Sequence, residues 1–131
     1  MQNPNSPGVT GMPRLILQLE GAALFLAALY AYWLTGGSWW LFLVLFLAPD
    51  LSFAAYLVNP RVGALAYNAV HTTVLPLALA VAALAFALSL ALPIAIIWLA
   101  HIGLDRLLGY GLKYPSAFGD THLGRVGKEI Q

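Results

Sequence analysis

Apolar residues come in four long runs separated by short breaks. The first extends from about Leu15 to Leu34 and stops at Thr35-Gly36-Gly37-Ser38. The second covers about Trp39 to Val58 and stops at Asn59-Pro60. The third covers about Val62 to Leu88. The fourth runs from Pro93, a favourable first-turn residue, to about Leu112. A membrane-spanning helix needs about 20 predominantly apolar residues. One helix across 62–112 would be far too long, so Ser89 to Pro93 reads as a turn. The pattern predicts an all-α integral membrane protein, a four-transmembrane-helix bundle over 14–113. Its spans are near 15–34, 39–58, 62–88 and 93–112. Residues 1–13, polar and rich in Pro and Gly, read as a disordered lead-in, and 114–131 as a polar tail. The first run is long enough to span, which favours a retained anchor over a cleaved signal.

Composition supports this class. Of 131 residues, 61% are hydrophobic and 8% charged, against about 25% charged in soluble domains. That is too little charge to cover a water-facing surface. There is no cysteine, which excludes disulfides and thiolate metal sites. Nothing has the form of a phosphate-cradling loop, a dinucleotide fingerprint or a haem motif. The basic residues are too few and scattered for nucleic acid.

The cations set a direction. Arg14, Arg61, Lys113, Arg125 and Lys128 lie before span one, between spans two and three, or after span four. Arg106 is near the same end of span four. The other two loops carry no cation. Under the positive-inside rule both termini are cytoplasmic, in a bacterial inner membrane. Arg61 and Lys113 suit anionic headgroups. Tyr30, Tyr32, Trp33, Trp39 and Trp40 read as outer-interface anchors.

Direction gives depth, at about 1.5 Å of helical rise per residue. Glu20 falls about 9 Å from the inner end of its span, Asp50 about 12 Å, and Asn68 and His71 about 9 and 14 Å. His101 and Asp105 fall about 16 and 10 Å deep. Every span therefore places an ionisable residue in one layer of the inner leaflet. His101 and Asp105, four apart, share a helix face, as do Tyr67 and His71, with Asn68 beside them. On span one Glu20 shares a face with Ala23, Ala27 and Ala31, a small-residue stripe expected to pack closely. Charged groups are costly against lipid, so these faces should point inward together.

Imidazole and carboxylate are common ligands of zinc and similar ions. Asp50, His71, His101 and Asp105 are the candidate metal ligands, with His122 a further one. Zinc is the first choice of ion. Glu20 is the candidate general base, and Asn68 and Tyr67 would orient ligands or substrate. A metal-bound water at this depth suggests hydrolysis of an ester, amide or phosphoester in a lipid-like molecule. Two other readings stay open. One is a hydrogen-bonded polar lock, with Glu20 paired to Arg106 or Arg14. The other is a small transporter or proton relay. The segment Gly119-Asp120-Thr121-His122-Leu123-Gly124-Arg125 is either a solvated interfacial loop or a lid carrying His122. Membrane lipids are the expected partners, and the Ala-rich third span also suits a homo-oligomer.

The phrases LEGAALFLAALYAY, GGSWWLFLVLFLAPDLS, NPRVGALAYNAVHT and WLAHIGLDRLLGYGLKYPSAFGDTHLG resemble a small bacterial inner-membrane family catalogued as a domain of unknown function (DUF4260-like). The resemblance covers about residues 15–125. It implies a four-span protein with recurrent polar positions at Glu20, Asp50, Asn68, His71, His101, Asp105, Asp120 and His122, and it implies no activity. At site level the arrangement is loosely similar to membrane-embedded zinc hydrolases such as alkaline ceramidases. This chain has fewer spans and fewer intramembrane histidines than they do.

Overall fold

The computed structural model describes residues 8–125. Residues 1–7, most of the expected lead-in, and residues 126–131 of the expected tail, Lys128 among them, lie outside the described residues. The order is α1 (Gly11–Thr35), α2 (Trp39–Phe46), a 3-10 helix (Ala48–Leu57), α3 (Pro60–His71), α4 (Val74–Ala85), α5 (Ala91–Leu107) and a small hairpin, β1 (Asp120–Thr121) with β2 (Gly124–Arg125). Among the described residues, three helical stretches are long and apolar enough to cross a membrane: Gly11–Thr35, Trp39–Leu57 and Pro60–Ala85. The fourth, α5, has 17 residues. Large apolar side chains such as Leu26, Val44, Leu65 and Leu84 are exposed along these stretches, which suits a lipid-facing surface.

Two of the expected spans are not continuous α-helix, and proline explains both. Pro49 has no N–H to donate to the Leu45 carbonyl. The α-helix ends at Phe46, and the chain continues in a tighter winding that carries Asp50 in its first turn. Pro76 likewise cannot donate to Thr72, and its ring would clash with that carbonyl. The third span breaks at Thr72 and Thr73. Backbone carbonyls freed inside a membrane must find other donors. Here the Trp98 indole N–H donates to the Val70 carbonyl at 2.6 Å, and the Arg106 guanidinium donates to the His71 carbonyl at 2.9 Å. Both donors come from α5, so α5 repairs the break in its neighbour.

The closest helix crossing is between α1 and α5, at Gly21 and Gly103. A methyl on Gly21 would strike Arg106 Cβ and the Leu107 backbone nitrogen, and one on Gly103 would strike the Phe25 backbone nitrogen. Hydrogen at both positions lets the two backbones touch. This crossing corrects the expected packing face of α1. Gly21, Ala28 and Tyr32 are buried and Ala31 packs partly buried against the core, whereas Glu20, Ala23 and Ala27 are exposed. The contact stripe is offset by one residue from the one that alanine spacing suggested. Tyr32 is also corrected. It is fully buried in the core with Ile97 and Ala100, and its ring packs on Trp39 and Phe42. Tyr30, Trp33 and Trp40 are exposed.

After α5 the chain folds back over the end of the bundle. Lys113 bridges to Thr121, and Leu123 and Thr121 are fully buried. Arg14 Nε donates to the Leu123 carbonyl at 2.6 Å, tying the start of α1 to the hairpin. The Asn68 side chain grips both backbone groups of Lys113: its amide donates to the carbonyl at 2.7 Å, and its oxygen accepts from the N–H at 2.6 Å.

Candidate metal centre

Three elements deliver four polar side chains to one point. The 3-10 helix brings Asp50, α3 ends on His71, and α5 carries His101 and Asp105 one turn apart. His101 Nε2 lies 3.3 Å from Asp50 Oδ1 and 3.2 Å from Asp105 Oδ2. His71 Nε2 lies 3.5 Å from each of the same oxygens, and the two Nε2 atoms are 3.2 Å apart. All four potential ligand atoms lie within 4.8 Å of one another. A four-coordinate zinc ion with bonds of about 2.0–2.1 Å needs its ligand atoms about 3.3–3.4 Å apart. Five of the six separations lie at 3.2–3.5 Å, close to that requirement, and the carboxylate pair lies within 4.8 Å, so these residues can hold a metal ion.

The surroundings fix the imidazoles. His71 Nδ1 is 2.8 Å from the Tyr67 carbonyl. A carbonyl only accepts, so neutral His71 carries its proton on Nδ1 and turns the Nε2 lone pair into the cluster. This is the orientation that metal-bound histidines acquire from a backbone partner. The Tyr67 ring stacks on His71 at 3.7 Å between centroids, and Phe46 meets His101 edge-on at 5.1 Å. His101 Nδ1 is buried without a well-formed hydrogen bond, and it approaches the Phe46 backbone. Both histidines are buried, whereas the Asp50 side chain is 41% exposed.

That exposure opens onto a cavity of about 320 Å³, lined by Asp50, Phe53, Tyr67, Asp105, Tyr110, Lys113 and Phe118. The carboxylates line it and the imidazoles do not, so the cluster meets the cavity on its acidic side. Lys113, which its sequence position suggests as a headgroup binder, is enclosed by the fold. It is 6% exposed, and Nζ donates to the Phe118 carbonyl at 2.8 Å. Nζ also sits 3.8 Å from the centroid of the Phe118 ring. Burial lowers its pKa below the usual lysine value, while the Asp105 charge opposes that shift.

The other expected site residues are placed differently. Asn68 spends its side chain on the Lys113 backbone and so shapes the cavity wall. Glu20 and His122 line a separate pocket of about 150 Å³ with Arg106 and Thr73. His122 Nδ1 accepts the Leu112 N–H at 2.8 Å. Burial, and then the nearby Arg106 charge, depress its pKa below the usual histidine value.

Residues 14–126 match the family described as Domain of unknown function (DUF4260). The chain belongs to this family. No curated protein and no solved structure matches it. The family description carries no activity, so function rests on the chemistry of the site.

Proposed function

We propose that this DUF4260 member is a membrane-embedded, metal-dependent hydrolase acting on an amphiphilic substrate. The observation that supports this most is the two-imidazole, two-carboxylate cluster with its acidic side on a cavity. Asp50, His71, His101 and Asp105 would hold the ion. A bound divalent ion lowers the pKa of water and polarises a substrate oxygen. The chain's own groups do the rest. Tyr67 fixes the tautomer and plane of His71. The partly exposed Asp50 carboxylate has an oxygen to spare for a water proton. Phe53, Tyr67 and Phe118 line the cavity with apolar ring surface suited to the hydrocarbon part of an amphiphile. Lys113 presents a cation to whatever enters. The distribution of cations among the loops supports a cavity on the cytoplasmic side of a bacterial inner membrane.

The test is metal analysis of protein purified in detergent, paired with an assay of ester, amide and phosphoester amphiphiles. A stoichiometric divalent ion, and hydrolysis that disappears with the ion in His101→Ala, is the expected result. Protein that never carries metal, or a variant that retains it, would rule the reading out.

A further inference from the structure

The substrate class of this cavity follows from its charge, given the metal-centre reading above. Asp50 and Asp105 contribute two negative charges, which a divalent ion balances. Lys113 then remains over. Its ammonium has three donor hydrogens. One reaches the Phe118 carbonyl, and the Phe118 and Tyr67 rings flank the group at 3.8 and 5.0 Å. Among the described residues no carboxylate forms an ion pair with it. Arg106, hydrogen-bonded to the His71 and Tyr110 carbonyls, adds a second positive charge beside the site. A metal-loaded centre is therefore cationic, and a buried cation calls for a counter-charge.

We propose that the cavity binds a phosphoester amphiphile, its phosphoryl oxygens shared between the ion and Lys113. A neutral ester or amide leaves the positive charge uncompensated. A free carboxylate compensates it but offers no hydrolysable bond at the charged group. A phosphoester supplies both in one group. In the reaction, water oxygen bonds to phosphorus and the bond from phosphorus to the leaving alcohol oxygen breaks. One water proton ends on that alcohol and the other leaves with the phosphate. Nothing is oxidised or reduced. A cavity of about 320 Å³ holds a headgroup and a few carbons. Lys113 also borders a neighbouring apolar groove of about 360 Å³ with Val62, Leu65 and Pro115. The hydrocarbon part therefore has apolar surface next to the headgroup position.

The test measures binding of octyl phosphate and octanol to the metal-loaded protein by titration calorimetry in detergent. Octyl phosphate should bind about tenfold or more tightly, the difference one charge-assisted hydrogen bond supplies. Lys113→Met should remove that preference at unchanged metal content, and Lys113→Arg should keep most of it. Octyl p-nitrophenyl phosphate should be turned over with a higher kcat/KM than p-nitrophenyl octanoate. The wild-type comparisons decide the matter even if Lys113→Met fails to fold. Metal-loaded protein that prefers the neutral ester, or binds both octyl compounds alike, overturns the substrate class and leaves the metal centre standing. Protein without metal overturns both.

Discussion

His71 and His101 face each other through Nε2 at 3.2 Å, with a carboxylate oxygen of Asp50 and one of Asp105 beside both. The Tyr67 carbonyl holds the His71 proton on the far side of its ring. A lone pair and two acidic oxygens thus converge on one point, where a cation satisfies them together.

Chelation should lower the stability of the purified protein. With free ion about a hundredfold above its dissociation constant, metal binding contributes about 2.7 kcal/mol. Thermal unfolding with and without chelator reads this directly. In His71→Ala the two melting curves should coincide.

Arg106→Met should act through the break in the third span. The His71 carbonyl loses a charged donor, at a cost of about 1–3 kcal/mol. His71 is then less well held, and metal affinity should fall about ten- to a hundredfold, as for other groups that orient ligands. Metal titration of the folded variant checks this, and wild-type affinity would separate the break from the centre.

Gly21→Ala and Gly103→Ala should each destabilise the bundle by about 1–3 kcal/mol, because the added methyl meets backbone that cannot move aside. Denaturation in mixed micelles measures this. Ala23→Leu, on the exposed face of α1, should change stability little.

His122 makes docking of the hairpin sensitive to acid. Its folded pKa is depressed by burial and by Arg106, so the unfolded chain binds the proton more readily. Its contribution is complete above the ordinary value of about 6.5 and is lost as the pH falls below that. Protonation also removes the acceptor for the Leu112 N–H. The protection factor for hydrogen exchange at Leu112, corrected for the intrinsic pH dependence of exchange, should therefore fall between about pH 7 and pH 5. His122→Asn, which keeps an acceptor but does not titrate, should flatten the response.

The absence of cysteine makes the topology testable with single-cysteine variants. Ser38→Cys and Ser89→Cys should react with an impermeant maleimide added to intact cells. Thr10→Cys and Arg61→Cys should react only after the cells are opened. The reverse pattern would turn the molecule over and place the cavity on the other face.

The convergence of Asp50, His71, His101 and Asp105 was legible because it follows from helical rise, one i,i+4 pair and the cost of charge in lipid. The neighbouring detail was not. Glu20 reads as a neighbour of the histidines if alanines mark the packing face of α1, but the glycine crossing at Gly21 and Gly103 turns it toward the separate pocket beside His122. Pro49 and Pro76 were visible in the sequence as breakers. How the Pro76 break is tolerated depends on Trp98 and Arg106 from α5, which no local pattern reveals. Lys113 reads as an interfacial cation because its burial arises only when Asn68 takes hold of its backbone and the following turn comes back over the bundle.

The interrupted third span has a consequence for how the protein is made. A segment with bare carbonyls midway along it is a poor solitary guest in lipid, and its missing partners, Trp98 and Arg106, emerge later from the ribosome. Insertion of α3, α4 and α5 should therefore be concerted, with the earlier pieces waiting in the translocon until the last helix arrives.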